Sequence, residues 1–354
     1  MAPVADLDHA VAITDVRTDG ARVVATVDGT DVWFASDDAA LTPAPEVFGS
    51  AVAVAAAAHG RGLRLDAPVT DRWQQGTAQA LDVVRVWWGW TAPAPVAPRP
   101  TRTVQHRSAV RGICFSAGAD SFHALRFSSP PPTVLVTVLG YDVPLAEEGR
   151  AASMEADVRA VAAATGTRAV VVRTNLRDHP LHRTTDWGRT HGGALAAVGH
   201  ALSGEISELA IAASYPRAHP EPWGSHWDLD PCWSSDVSIH HVGEDRWRSE
   251  KLADLSTDPV AQQHLRVCWE HRTGAVNCGW CEKCLRTACD LLVAGGLARF
   301  PRLPAAEDLP ARLDALGQVG ASAVVFAHLR DHDIPSELRA AVDGLLARSA
   351  AALA

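Results

Sequence analysis

Hydrophobic and polar positions divide the chain into a meandering start, an alternating middle and a helical end. Residues 11–36 alternate apolar and polar side chains and are broken by Asp19-Gly20 and Asp28-Gly29, which predicts three short strands in a meander. Residues 45–60 read as a helix closed by Gly60, and 63–65 as a short strand. A second helix is expected from 70 to 88, with Trp73, Leu81, Val84 and Trp88 as a loose apolar stripe. The proline-rich run 91–100 can continue neither a helix nor a central strand. These features predict a small accessory α+β domain over 1–90 and a linker over 91–105.

Beyond the linker the periods alternate. Residues 112–115, 133–139, 168–173 and 208–214 are short apolar runs of the kind that form buried parallel strands. Between them, 145–165 and 190–203 read as helices, and Phe122 and Leu125 begin another. The fold class predicted for 106–300 is α/β, an open parallel Rossmann-like sheet with helices on both faces. In such sheets ligands sit beyond the strand C-termini, here residues 116–121, 140–142, Thr174-Asn175 and Ser214-Tyr215. Residues 216–250 are irregular and rich in tryptophan and histidine, which suits a substrate lid or pocket wall. His191, His240 and His241 are candidate proton carriers. A helix opens at Arg248. Over 301–354 a Pro/Ala-rich connector leads to two amphipathic helices, 311–329 and 335–354, expected to cover the sheet or form an interface such as that of a homodimer.

Composition narrows the function classes. The 354 residues suffice for two domains, and a net charge of −9 argues against a broad nucleic-acid-binding face and for a small-molecule substrate. No run approaches the roughly 18 apolar residues of a membrane helix, and no basic-then-apolar leader opens the chain, so a cytoplasmic protein is expected. Of 32 basic residues only Lys251 and Lys283 are lysines. Lys251, at the start of a helix with Arg248, could meet a phosphate or carboxylate.

Two stretches carry chemistry. In Cys114-Phe115-Ser116-Ala117-Gly118-Ala119-Asp120-Ser121 an apolar run stops at small and polar residues that open a helix. Such a loop presents unpaired backbone N–H groups and the positive end of a helix dipole, which suits a phosphate. Cys268, Cys278, Cys281 and Cys284 follow a Cys-x9-Cys-x2-Cys-x2-Cys pattern able to wrap one tetrahedral zinc, with an iron–sulfur cluster as the rival. Cys114 and Cys289 read as core, and Cys232 is the one plausible reactive thiol.

The Ser-x-Gly-x-Asp-Ser pattern of residues 116–121 resembles the pyrophosphate loop of the PP-loop ATP pyrophosphatases, the adenine-nucleotide alpha-hydrolase-like superfamily, usually Ser-Gly-Gly-x-Asp-Ser. With the four-cysteine pattern it resembles the 7-cyano-7-deazaguanine synthase family over roughly 108–290. Ala117 stands where the superfamily has the first glycine, an exchange that matters if that position needs φ > 0 or close phosphate approach. The resemblance implies ATP bound by Ser116, Ala117, Gly118, Ala119, Asp120, Ser121, Gly140, Tyr141, Thr174, Asn175 and Ser214. Adenine and ribose would lie near Gly140 and Thr174. It further implies Mg²⁺, a structural Zn²⁺, and Asp120, Ser121, Arg248 and Lys251 as catalytic candidates. The implied reaction is adenylation of a carboxylate or amide oxygen with pyrophosphate release, followed by attack of ammonia or another small nucleophile. Sulfur transfer by the same adenylation, and a non-catalytic nucleotide-binding module, are the alternatives.

Overall fold

The computed structural model describes residues 9–105, 109–319 and 323–351. By compactness it forms two units, Met1–Ser116 with Ala124–Asp245, and Ala117–His123 with Arg246–Ala354.

The first unit is an α/β layer structure around one sheet. Its strands are β1 (Val11–Asp19), β2 (Arg22–Val27), β3 (Thr30–Ala35), β4 (Leu63–Leu65), β5 (Arg111–Cys114), β6 (Val134–Leu139), β7 (Arg168–Thr174), β8 (Glu208–Ala212) and β9 (Ser238–Val242). They lie in the order β4-β1-β2-β3-β7-β6-β5-β8-β9. From β7 to β9 all pairings are parallel. Counted along the chain these five strands run 3-2-1-4-5, the doubly wound order, with the switch point between β5 and β8. β6 is buried at all six positions, as expected of a central parallel strand.

Two features differ from the expectation. The meander does not stand apart: β3 pairs antiparallel with β7 (Phe34↔Thr174, Ala35↔Arg173), so residues expected as an accessory domain extend the same sheet. The proline-rich segment is stitched onto it, since Val96 exchanges backbone hydrogen bonds with Leu63 and Leu65. Second, β9 lies inside the stretch read as irregular, completing the parallel set.

The helices of the first unit are α1 (Pro45–Ala58), α2 (Asp71–Trp88), part of α3 (Ala119–Phe127), α4 (Glu148–Thr165), α5 (Pro180–Arg183) and α6 (Trp187–Ala201). Small residues let α1 and α6 meet backbone to backbone: a Cβ on Gly193 would stand 2.5 Å from Ser50 O. Trp73 fills the space beside them and donates from Nε1 to Ser50 Oγ at 2.7 Å.

The second unit is helical: α7 (Arg248–Leu255), α8 (Pro259–His264), α9 (Glu282–Val293), α10 (Leu309–Ala315), α11 (Val324–Ala327) and α12 (Ser336–Ala351). Leu252, Leu255, Leu285, Ala288, Leu291, Leu313, Leu338, Val342 and Leu345 form its core. The helix expected over 311–329 is shorter, because the chain turns at Gly317 (φ +78°) after α10. The 335–354 expectation corresponds to α12, and residues 352–354 lie outside the described residues. Among the described residues, no helix is long and apolar enough to cross a membrane.

Candidate phosphate cradle and metal centre

β5 ends at Cys114, and Phe115 still donates its N–H to Val136 O at 2.8 Å. Ser116 is exposed. The backbone then turns through Ala117, which is fully buried at φ +57° and accepts a hydrogen bond on its carbonyl from Arg266 N–H at 2.9 Å. An L-residue with a Cβ is strained there by about 1–2 kcal/mol. The position does require the left-handed conformation that a glycine would adopt freely. Gly118 O accepts from Phe122 N–H at 2.9 Å and from Ser121 Oγ at 3.1 Å, which starts α3 and fixes the Ser121 side chain.

Asp120, in the first turn of α3, is the centre of the cluster. Its carboxylate is clasped by the Arg248 guanidinium, and Lys251 Nζ stands 3.4 Å from Oδ1. Arg248 and Lys251 sit one turn apart on α7, so both reach the same carboxylate. Lys251 is only 1 % exposed. Burial alone would raise the Asp120 pKa, but the charges of Arg248 and Lys251 outweigh it and hold the carboxyl below its ordinary range. Burial likewise works against the Arg248 charge, and Asp120 more than restores it. All three residues belong to the second unit, as does the His123–Asp254 pair (3.1 Å) beside them on α3 and α7.

The same unit contains the four cysteines. Their sulfurs lie within 4.8 Å of one another, and those of Cys268 and Cys281 are 3.9 Å apart. A tetrahedral zinc with Zn–S bonds of about 2.3 Å needs sulfurs about 3.8 Å apart. An iron–sulfur cluster, having width of its own, would spread them further. Asn277 pins both arms: Oδ1 accepts from Val267 N–H (2.8 Å) and Cys268 N–H (3.2 Å), while Nδ2 donates to Leu265 O (2.9 Å). Backbone N–H groups of His271, Trp280 and Cys281 point at sulfur, at 3.2–3.4 Å. Gly279 makes the knuckle turn at φ +71°. The Cys284 thiol, with further donors, pushes Cys281 down to about 5, so the set already favours a thiolate. The donor set, spacing and N–H···S bonds fit one metal ion. Cys281 caps α9 and Cys284 lies in its first turn, which ties that helix to the cluster.

The remaining expected ligand residues lie in the first unit, and most are already engaged. A Cβ on Gly140 (φ +99°) would overlap Thr174 O. Tyr141 is buried and donates from its hydroxyl to Ala194 O at 2.7 Å. Thr174 Oγ1 accepts from Leu176 N–H at 3.1 Å. Asn175 reaches back to the meander, accepting from Trp33 N–H and donating to Asp31 O, both at 2.9 Å. Ser214 is half-buried, two residues past β8. Cys232 donates to Asp228 O at 3.3 Å, and burial with two nearby aspartates pushes its thiol pKa up; it is not an activated thiolate. Burial does the same to Cys114 and Cys289. The pattern of residues along the chain gave no sign of Asp230, which is fully buried and pairs with His241 at 2.7 Å, because the strand that carries His241 was not recognised. His240, its neighbour, stands 3.8 Å from Glu208.

No protein-family model, no curated protein and no solved structure matches the chain.

Proposed function

We propose that the chain is an ATP-dependent, AMP-forming ligase of the PP-loop ATP pyrophosphatase type. It adenylates a small-molecule carboxylate or amide oxygen, releases pyrophosphate, and passes the activated carbon to a nitrogen nucleophile such as ammonia. One observation carries this reading: a nearly buried lysine and an arginine converge on an aspartate in the first turn of the helix that the Ser-x-Gly-x-Asp-Ser loop opens. Buried cations need anionic partners. Asp120 is one such partner, and phosphate oxygens are natural alternative partners of Arg248 and Lys251.

In this reading each residue of the cluster has a role. Ala117 holds a left-handed turn at the position of the first glycine in the resembled motif, which leaves the N–H groups of 117–121 at a helix start. Arg248 and Lys251 neutralise the leaving pyrophosphate as the substrate oxygen attacks the α-phosphate. Mg²⁺, with Asp120 as its protein ligand, would add charge neutralisation at the phosphates. Cys268, Cys278, Cys281 and Cys284 would hold zinc in a closed, structural site that fixes α9. The hydrogen-bonded, high-pKa thiol of Cys232 gives sulfur transfer no support.

The test measures AMP and pyrophosphate release from ATP and Mg²⁺, with ammonium and a panel of carboxylates, on protein analysed for metal. We expect AMP and pyrophosphate as products and one zinc per chain. Asp120→Ala should abolish the activity, and Lys251→Met should lower it by about 10²–10³-fold. Unchanged turnover in Asp120→Ala, or ADP as the product, sinks the assignment.

A further inference from the structure

The first unit buries a carboxylate that the phosphate reading leaves unused. Asp230 opens a 3₁₀ turn (Asp230–Trp233) after the tryptophan-rich loop and is fully buried. Its Oδ2 accepts from Ser225 Oγ and from His241 Nδ1, each at 2.7 Å. Its Oδ1 has no hydrogen-bond partner among the described residues. Replacing a whole buried ion pair by apolar residues is often neutral or stabilising, so stability alone does not account for the Asp230–His241 pair.

The surrounding chain is nonetheless cut to fit it. Gly224 N–H donates to Gly188 O at 2.9 Å and Gly192 N–H to Gly224 O at 3.0 Å, so the loop backbone lies directly on α6. A Cβ on Gly192 would overlap Gly224 O and come within 2.9 Å of Asp230 Oδ1. A Cβ on Gly224 would stand 2.6 Å from Gly188 O. This close docking fixes Asp230 against β9, the strand that carries His241.

The consequence for the imidazole is chemical. With Nδ1–H given to the carboxylate, the neutral ring keeps its lone pair on Nε2. That atom makes no hydrogen bond among the described residues. The ring is flanked by Trp227 and His226, at centroid distances of 6.2 and 6.5 Å. His191 feels the same carboxylate. Its Nδ1 donates to the Trp187 and Gly188 carbonyls, and burial lowers its pKa against the pull of Asp230 and Asp142.

We propose that Asp230 and His241 form an acid–base dyad of the first unit, in which Asp230 positions the ring and His241 Nε2 accepts a proton from an N–H or O–H nucleophile. As the nucleophile forms its new bond, its proton passes to Nε2, and the imidazolium is balanced by the Asp230 carboxylate. No electrons are exchanged. The dyad rests on the first unit's geometry and is independent of the ATP reading.

Carbethoxylation of the full chain with diethyl pyrocarbonate, read histidine by histidine by mass spectrometry, tests it. The reagent acylates a ring nitrogen with an available lone pair. His241 should react at least about tenfold faster than the buried His179, both of whose ring nitrogens are engaged, Nε2 with the Val27 carbonyl at 3.1 Å and Nδ1 with Leu181 N–H at 3.3 Å. Asp230→Asn should slow His241 by about tenfold and leave the other histidines unchanged. A structural pair would instead show no preferential His241 adduct, or the same rate in Asp230→Asn, and either result overturns the dyad. If Asp230→Asn fails to fold, the comparison of His241 with His179 in the unmodified chain still decides.

Discussion

Each unit holds a charge-bearing aspartate at a helical start, and the two are partnered differently. Asp120 in the second unit is held by two full charges, Arg248 and Lys251. Asp230 in the first is held by a hydroxyl and an imidazole. The difference extends to their surroundings. The first unit buries His179, His182, His200 and His226, each with a backbone carbonyl or amide as ring partner. The second buries ion pairs, including Asp290 with His328 at 3.0 Å. Two strong cations that hold a carboxylate can equally hold a phosphate oxygen. A carboxylate on an imidazole fixes a tautomer. On the two readings proposed above, the second unit would supply charge stabilisation and the first proton movement.

Neutralising each aspartate in turn puts the largest strain on this contrast. Asp120→Asn removes the negative charge that Arg248 and Lys251 share and should destabilise the second unit by about 3–5 kcal/mol. Asp230→Asn keeps acceptor capacity toward Ser225 and His241 and should cost the first unit about 1 kcal/mol. Hydrogen-exchange mass spectrometry, which reads each unit separately, measures both. Equal losses would erase the distinction between the two carboxylates.

Acid should separate the units next. Burial, only partly offset by hydrogen bonds to the Ala51 and Trp233 carbonyls, lowers His182 and His200 to about 4. The unfolded chain, with histidine near 6.5, binds more protons than the native state below that pH. First-unit stability is therefore intact above about pH 6.5, falls as pH drops, and bottoms out near pH 4; at pH 5 each ring costs about 2 kcal/mol. The second unit has the opposite sign at His328, whose pKa is raised by its bond to Asp290. That contribution is present below the unfolded histidine pKa and is lost as pH rises through the folded one. Asp120, lowered in the native state, gives way only once pH falls below the ordinary carboxylate range. Protection factors, corrected for intrinsic exchange, should thus drop first in the first unit between pH 6.5 and 5. Simultaneous loosening of both units would contradict the assignment of buried neutral imidazoles to one of them.

How legible these regions were in sequence differs for physical reasons. The parallel strands showed because a strand buried on both faces must be apolar throughout, as 134–139 is. The loop at 116–121 and the cysteine set showed because their ligands come from one short segment whose spacing the chemistry dictates. Joining the meander to the sheet depends on two residue pairs between β3 and β7 and on the Asn175 side chain, and no local pattern encodes them. The Asp230–His241 pair stayed hidden for a similar reason. Its strand is five residues long, carries two histidines in place of apolar residues, and follows a stretch whose packing is set by glycines on a distant helix. Asp120, Arg248 and Lys251 were each read as candidates from local signals. Their convergence needs α3 and α7 side by side, which a sequence separation of 128 residues conceals.

The smallest effect is the most local. Ala117 stands at φ +57° with its side chain fully buried, so its strain is stored at the turn that opens the cradle. Ala117→Gly would relieve about 1–2 kcal/mol of strain. It would also free the unfolded chain at a cost of about 0.4–1 kcal/mol. The net gain, about 0.5–1 kcal/mol, should appear as raised protection confined to the second unit, since Ala117 O is tied there to Arg266 N–H. A loss of protection instead would mean that the buried methyl contributes more by packing than the left-handed backbone costs. In that case the alanine would be a fitted part of the charged unit rather than a strained stand-in for glycine.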